Sequence, residues 1–435
     1  TVFPAPLLKV ETHDFSFDGL DRLISAKAGT ENIFRNYDSM GRLLAETTLG
    51  NTMSCKYNDG TGEVEKIWPD GRTEKLSHNL NGVLTKIEET VNGTLGSGNN
   101  LLATFKTSGA NIFGEASYTG GTIIKNLYDE RKRLTEITAQ SAAGINENIK
   151  YRYNKAGIKQ VEALLGQNPK LSYFDFDNKY RLLNTKDQFI TPIPPANTQG
   201  QHDVAIHAVR IASAGALHQE KFLYNESDAR TKYSETGVPD INYTFSPGHK
   251  IQNDGTNVYT YHTDGTLQND GIFTYEADTL GRIIRIKTGI NVITEIKYDA
   301  FGRPSIVKET GKPDKSFNYL GGFVEQENEN GITSRQISIH PVTGVPIAYH
   351  SFLGTHNTFF DSRFNLIGLF DDAGRLLETY RYKSFGLPKI FDNTGTPIAA
   401  SMFGVQPVFG GQRYLSASGL YLSTRRLLNP KNGIY

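Results

Sequence analysis

The chain has 435 residues and equal numbers of basic and acidic side chains, 46 of each, so no net field draws it toward DNA, RNA or an anionic membrane. Cys55 is the single cysteine, which excludes an intrachain disulfide; stability rests on packing and backbone pairing, and the isolated thiol reads as an inert core or surface residue. With 43 Gly, 22 Tyr, 24 Phe and one Trp, the composition suits many short strands joined by glycine turns, with aromatics on the sheet faces.

Residues 1–10 lack the basic start and apolar core of a signal peptide, and the absence of an initiator Met suggests a trimmed or processed chain. No apolar run approaches the roughly 20 residues that a membrane span needs. A first degenerate turn unit lies in residues 11–35, where Asp18-Gly19 and Arg22-Leu23 mark the turn and the strand after it. A sharper one follows at Tyr37 to Leu43 (YDSMGRL), with Tyr37, Asp38 and Gly41 at its fixed positions. Asp at the start of such a turn accepts hydrogen bonds from the backbone ahead of it, and Gly supplies the positive φ that lets the chain re-enter a strand. An eroded copy at Tyr57 to Val64 comes next, and then a turn built on Trp68-Pro69-Asp70-Gly71. Residues 91–125 keep turn residues while the tyrosines thin out, which reads as continued array. Tyr128 to Leu134 has lost its Gly and Tyr153 to Ile158 is worn.

Prolines break the pattern after residue 188, predicting an insertion over about 188–222. Within it, residues 204–217 fit either a strand or a short helix, the one place where helix is expected. His202, His207 and His218 lie nearby, but their spacing matches no common ligand pattern, so no metal site is assigned. The array then resumes. Asp264 and Asp278 occupy turn positions that explain them without acid/base chemistry. The clearest unit surrounds Tyr298: Ile296 and Tyr298 alternate with Glu295 and Lys297, and Asp299, Gly302 and Arg303 form the turn. Phe370 to Leu376, with Gly374, and Tyr382 to Leu387 are further copies.

Five to eight degenerate copies at short spacing argue for a repeat array. Their pattern resembles the YD repeat of Rhs proteins, toxin-complex C components and teneurins, and the Pro-Asp-Gly turn resembles a variant found in Rhs chains. Residues 340–435 resemble the Rhs repeat-associated core. The match runs through Tyr380, Tyr382, Phe385 and Gly386, then through Gly411, Gln412, Gly419, Leu420, Tyr421, Arg425, Arg426, Pro430 and Gly433. Two departures from the family stand out: Asn429 precedes Pro430 where Asp is usual, and Leu427-Leu428 replaces Tyr-Tyr. The resemblance implies an Asp-Pro-x-Gly self-cleavage motif just past Tyr435, so no catalytic residue is matched here. The chain end is then expected to be a cleavage or artificial boundary. Arg425 and Arg426 are the residues that could hold one of two paired aspartates ionised.

The expected fold is all-β: residues 1–339 as a YD-repeat shell and 340–435 as the core. Single hairpins are marginal, so the units must pair into one long sheet, and a twisted sheet of that length curls. The resemblance implies a spiralling, hollow β-shell, closed by the core, that keeps a C-terminal toxin from its own cell until delivery. Shells of this family use longer arrays, so another segment or a delivery component is an expected partner. Secretion or surface display follows, with no cofactor and no enzymatic role. The rival reading is a cell-surface module whose tyrosine-rich face binds carbohydrate or a protein. A hydrolase has no motif support, since GxSxG and HExxH are both missing.

Overall fold

The structure, a computed structural model, describes residues 12–29, 31–91, 98–108, 112–141, 146–189, 218–423, 426–431 and 433. Segment 204–217, His202, His207, Arg425 and the last two residues lie outside them. Every regular element among the described residues is a strand.

The repeat unit shows why. Asp38 Oδ1 accepts hydrogen bonds from the Met40 and Arg42 amides at 2.9 and 2.8 Å, and its Oδ2 accepts one from Arg42 Nε at 2.6 Å. Gly41, at φ 82°, closes the turn by donating to the Asp38 carbonyl at 3.1 Å. Arg42 then lies over the ring of Tyr57 in the next repeat, 4.3 Å from its centroid, and the Tyr57 hydroxyl donates back to the Leu43 carbonyl at 3.0 Å. Asp299 and Arg303 repeat the arrangement onto Tyr319 at 4.1 Å, while Arg282 caps Tyr298 at 4.7 Å. One repeat's arginine therefore covers the next repeat's tyrosine, and the array is tied together residue by residue.

Where the array lost its glycine, the backbone did not change. Lys132 and Tyr180 hold the turn position at φ 60° and 63°, where a Cβ is strained. Tyr180 is two-thirds exposed, at 66%, so its ring contributes little packing. Replacing Tyr180 by Gly is expected to stabilise the protein by about 0.5 to 1 kcal/mol, strain relief outweighing the added unfolded-state entropy. The converse change, Gly302→Val at φ 75°, should cost about 1 to 3 kcal/mol. Urea midpoints check both, and two unshifted midpoints would remove the strained-turn account.

Strand pairing is sequential throughout. A 19-stranded sheet runs from β1 (His13–Phe17) to β19 (Val238–Asn242), each strand antiparallel to the next. A two-stranded hairpin, β20 (Thr244–Ser246) and β21 (Lys250–Asn253), leads into a 15-stranded sheet from β22 (Thr260–Tyr261) to β36 (Pro397–Ile398). A four-stranded sheet between β37 (Val408–Phe409) and β40 (Leu427–Leu428) ends it. Two expected boundaries shift. β16 (Leu182–Phe189) pairs directly with β17 (His218–Tyr224), Asn184 opposite Lys221, so the strand begins inside the insertion drawn at 188–222. Pairing also crosses residue 340 unbroken, with Ile337 opposite Tyr349.

The second sheet lies face to face on the first, and both advance in the same order. The Asn318 amide donates to the Thr48 carbonyl at 2.8 Å, Lys66 pairs with Glu325 at 2.8 Å, Arg381 with Glu147 at 3.0 Å, and Lys383 with Glu235. The first sheet goes from β4 (Leu43–Thr48) to β18 (Arg230–Glu235) while the second goes only from β28 (Lys315–Leu320) to β34 (Leu376–Tyr382). The second lap is thus the shorter, inner arc of a spiral. On β28, Asn318 faces the outer lap, and its neighbours Phe317 and Tyr319 face the other way, where they join Leu415, Leu420 and Leu422 of the C-terminal segment. Burial follows this layering. The outer lap alternates, as in β10 (Phe113–Tyr118), whereas Glu325 through Asn328 and Arg335 through Ile339 are buried on both faces.

Candidate functional site

Three clusters of functional-group side chains stand out, and each sits between layers. The first joins the two laps. Arg72, stacked over Trp68 at 4.4 Å, bridges Glu74 at 2.8 Å and Glu89 at 2.9 Å. Above them, Ser338 Oγ lies 2.7 Å from His350 Nε2, and His350 Nδ1 is 3.0 Å from Thr355 Oγ1 and 3.6 Å from Glu89. The order Ser, His, carboxylate is that of a nucleophile triad. It cannot meet a substrate: Ser338 is 0% and His350 1% exposed, and the Ser338 hydroxyl also engages Glu74. Burial, helped by the Arg72 charge, holds the His350 imidazole neutral well below its usual range. The trio fastens the laps.

In the second cluster, worn repeats receive the C-terminal segment. At Asp361 the turn has Asn365 where other repeats have Arg. Asn365 Nδ2 still donates to Asp361 Oδ2 at 2.7 Å, but its Oδ1 accepts the Gly410 amide at 2.7 Å, and the Gly411 amide donates to the Phe364 carbonyl at 3.0 Å. In the next worn turn, Gly386 sits under the Phe409 ring, where a Cβ would come within 2.6 Å of it. Phe409 packs on Tyr382 and Tyr421, and the Tyr421 hydroxyl donates to the Gly386 carbonyl at 2.8 Å. Gly433 abuts the Phe385 ring.

The third cluster lines a cavity of about 310 Å³ between the inner lap and the C-terminal segment. Glu327 accepts from Arg335 at 2.9 Å and pairs with Arg413. Burial alone would raise this carboxyl, but Arg413 and Arg335 hold it far below the usual carboxylate range.

The residues singled out in the sequence divide accordingly. Tyr37, Asp38, Gly41, Tyr298, Asp299, Gly302 and Arg303 form separate turn clamps, and Arg303 also reaches Glu46 of the outer lap at 2.7 Å. Gly374, at φ 77°, lies where the two laps cross, 2.7 Å from the Gly120 carbonyl oxygen as measured from its ideal Cβ. Gly411, Gln412, Gly419, Leu420 and Tyr421 gather in the terminal sheet, with Pro430 buried and Gly433 beside it. Arg426 is exposed, and its carbonyl accepts the Ser423 amide at 2.9 Å. Asp264 and Asp278 each bind backbone amides of their own turns. Cys55 is buried, which pushes its thiol up to about 11. Among the described residues no group of three His, Cys, Asp or Glu side chains is placed to hold a metal, and no helix is long and apolar enough to cross a membrane. Glu327, Arg335, Asn365 and Arg413 went unnoticed in the sequence, where only the exchange of Arg for Asn365 in a repeat marked one of them.

A profile of the teneurin YD-shell family matches residues 158–320. No curated protein matches the whole sequence significantly. Among solved structures, the TcdB2-TccC3 crystal structure aligns with 96% of this chain at a TM-score of 0.65 and 13% identity. The TcdB2-TccC3-Cdc42 structure aligns with 97% at 0.64 and 14% identity, and the Tc holotoxin pore of Photorhabdus luminescens with 96% at 0.60 and 13%. The chain spans only 22%, 26% and 25% of those three chains. The arrangement expected from the repeats, all-β hairpins wound into a spiralling, hollow shell, is the architecture seen here. The middle of the chain is thus similar to the teneurin YD-shell family, and the whole described chain shares the fold of the TcdB2-TccC3 structures.

Proposed function

We propose that this chain is a wall segment that sequesters a C-terminal toxin until delivery outside the producing cell, and that it performs no chemistry of its own. The observation that carries the reading is the position of the C-terminal segment: Phe409 to Leu422 lies against the inner lap, held by Asn365 and the Gly386 carbonyl. Polypeptide attached there starts on the inner side of the wall. Among the described residues, sequential pairing confines open strand edges to the ends of each sheet, which suits a container. One solved structure of similar fold is named as a Tc holotoxin pore, and the chain's small share of the matched chains' length supports a further shell segment as partner.

The surface-recognition alternative needs tyrosine faces open to a ligand. The repeat tyrosines Tyr57, Tyr298 and Tyr319 instead have a guanidinium over the ring and the hydroxyl bound to a carbonyl. The test is protease protection of the product of the complete reading frame. Sequence C-terminal to the core should resist a protease concentration that destroys it as a free polypeptide, and Phe409→Ala should remove the protection. Equal digestion of free and attached forms would sink containment.

A further inference from the structure

The cavity between the inner lap and the C-terminal segment carries an unbalanced charge. Its charged lining residues are Arg303, Glu327, Arg335 and Arg413. Arg303 is neutralised from outside the cavity by Asp299 and Glu46, each at 2.7 Å. That leaves two guanidinium groups sharing the single carboxylate of Glu327. The Arg335 side chain is 9% exposed, and although its Nη1 and Nη2 are occupied by Glu327 and the Gly404 carbonyl, its buried Nε has no partner. An unpaired guanidinium donor in such surroundings is costly unless an anion or acceptor completes it. Apart from Gln406 and Ser423 the rest of the wall is mostly apolar and aromatic, with Phe317, Tyr319 and Tyr349 among its residues, and about 310 Å³ lies within the range of small-molecule sites.

We propose that this cavity is a binding site for an organic carboxylate with a flat apolar body, its carboxyl group taken by Arg335 and Arg413 and its body by the aromatic wall. Arg335 offers its unpartnered Nε donor, and the second arginine supplies charge that Glu327 does not cancel. Two sources share this chemistry: a free aryl-alkanoic acid, and an Asp or Glu beside an aromatic residue in an enclosed polypeptide.

The experiment titrates the intact chain by calorimetry with 3-phenylpropionate, with its uncharged amide, and with the blocked peptide acetyl-Gly-Asp-Phe-Gly-amide. Binding of the acid or of the peptide, with the amide weaker by about tenfold or more, supports the site and identifies its source. Arg335→Gln should weaken the acid by about tenfold. Arg413→Lys keeps the charge but loses the fork, and should weaken the acid less than Arg335→Gln does. No binding by either carboxylate, equal binding of acid and amide, or indifference to both substitutions overturns the proposal. Protease protection of the C-terminal sequence does not enter this readout, so the two proposals fail separately.

Discussion

Replacing Arg72 by Met is expected to destabilise the protein by about 3 to 5 kcal/mol, because it strands two carboxylates between the laps. Arg72 is 0% exposed, and it is the cation bridging Glu74, also 0% exposed, and Glu89, at 7%. The cause is separable from lost packing. The triple variant Arg72→Met, Glu74→Gln, Glu89→Gln removes the charges together and should recover most of the loss, since matched removal of a buried ion cluster is often close to neutral. The pH dependence carries the same sign argument. Burial holds Glu89 above the usual carboxylate range even with Arg72 present. A carboxyl whose folded value is raised contributes stability in full at low pH and loses it as pH rises through that value. Without Arg72 the rise is larger, so the deficit of the single variant should shrink between pH 7.5 and 5.5. Urea denaturation at the two pH values measures this; a deficit under about 1 kcal/mol at pH 7.5 would mean that the cluster does not join the laps.

Gly120→Ala is expected to be nearly as damaging, at about 3 kcal/mol or more. An ideal Cβ on Gly120 would run into the backbone carbonyl of Asp372, with the Gly374 amide nitrogen at 3.0 Å. Both obstacles are main chain in the inner lap's turn, so neither can swing aside as a side chain would. Gly19→Ala is the control: nothing lies within 4 Å of its Cβ and its φ is not positive, so the change should be neutral or stabilise by up to about 1 kcal/mol. Equal melting temperatures for the two variants would disprove the crossing of the laps at this point.

What the sequence discloses follows the range of the interactions. The turn clamp is legible because Asp38 speaks to residues two and four positions ahead, and Asp299 does the same. The aromatic of each unit is legible too, although the cation over it belongs to the repeat before. Winding is another matter. Arg72 reaches Ser338 across 266 positions, and Asn318 reaches Thr48 across 270. Nothing in a period-2 pattern says that a second sheet will cover the first. Asn318, Glu325 and Gln326 are polar, yet all three are at most 2% exposed, because the outer lap lies over them and supplies Thr48 and Lys66 as partners. The clamps most informative about the C-terminal segment are the defective ones. Asn365 stands where other repeats carry Arg, and it is the residue that receives the Gly410 amide.

The shared direction of the two laps bears on how the molecule is made. A chain emerging from the ribosome exposes its outer arc first, as a sheet with one uncovered apolar face. The inner arc meets finished strands in the order in which they were laid down, so Gly321 finds Glu46 before Arg381 finds Glu147. The last strands then close on the inside without threading through any loop. Synthesis order and radial order coincide: each layer is a template for the one after it.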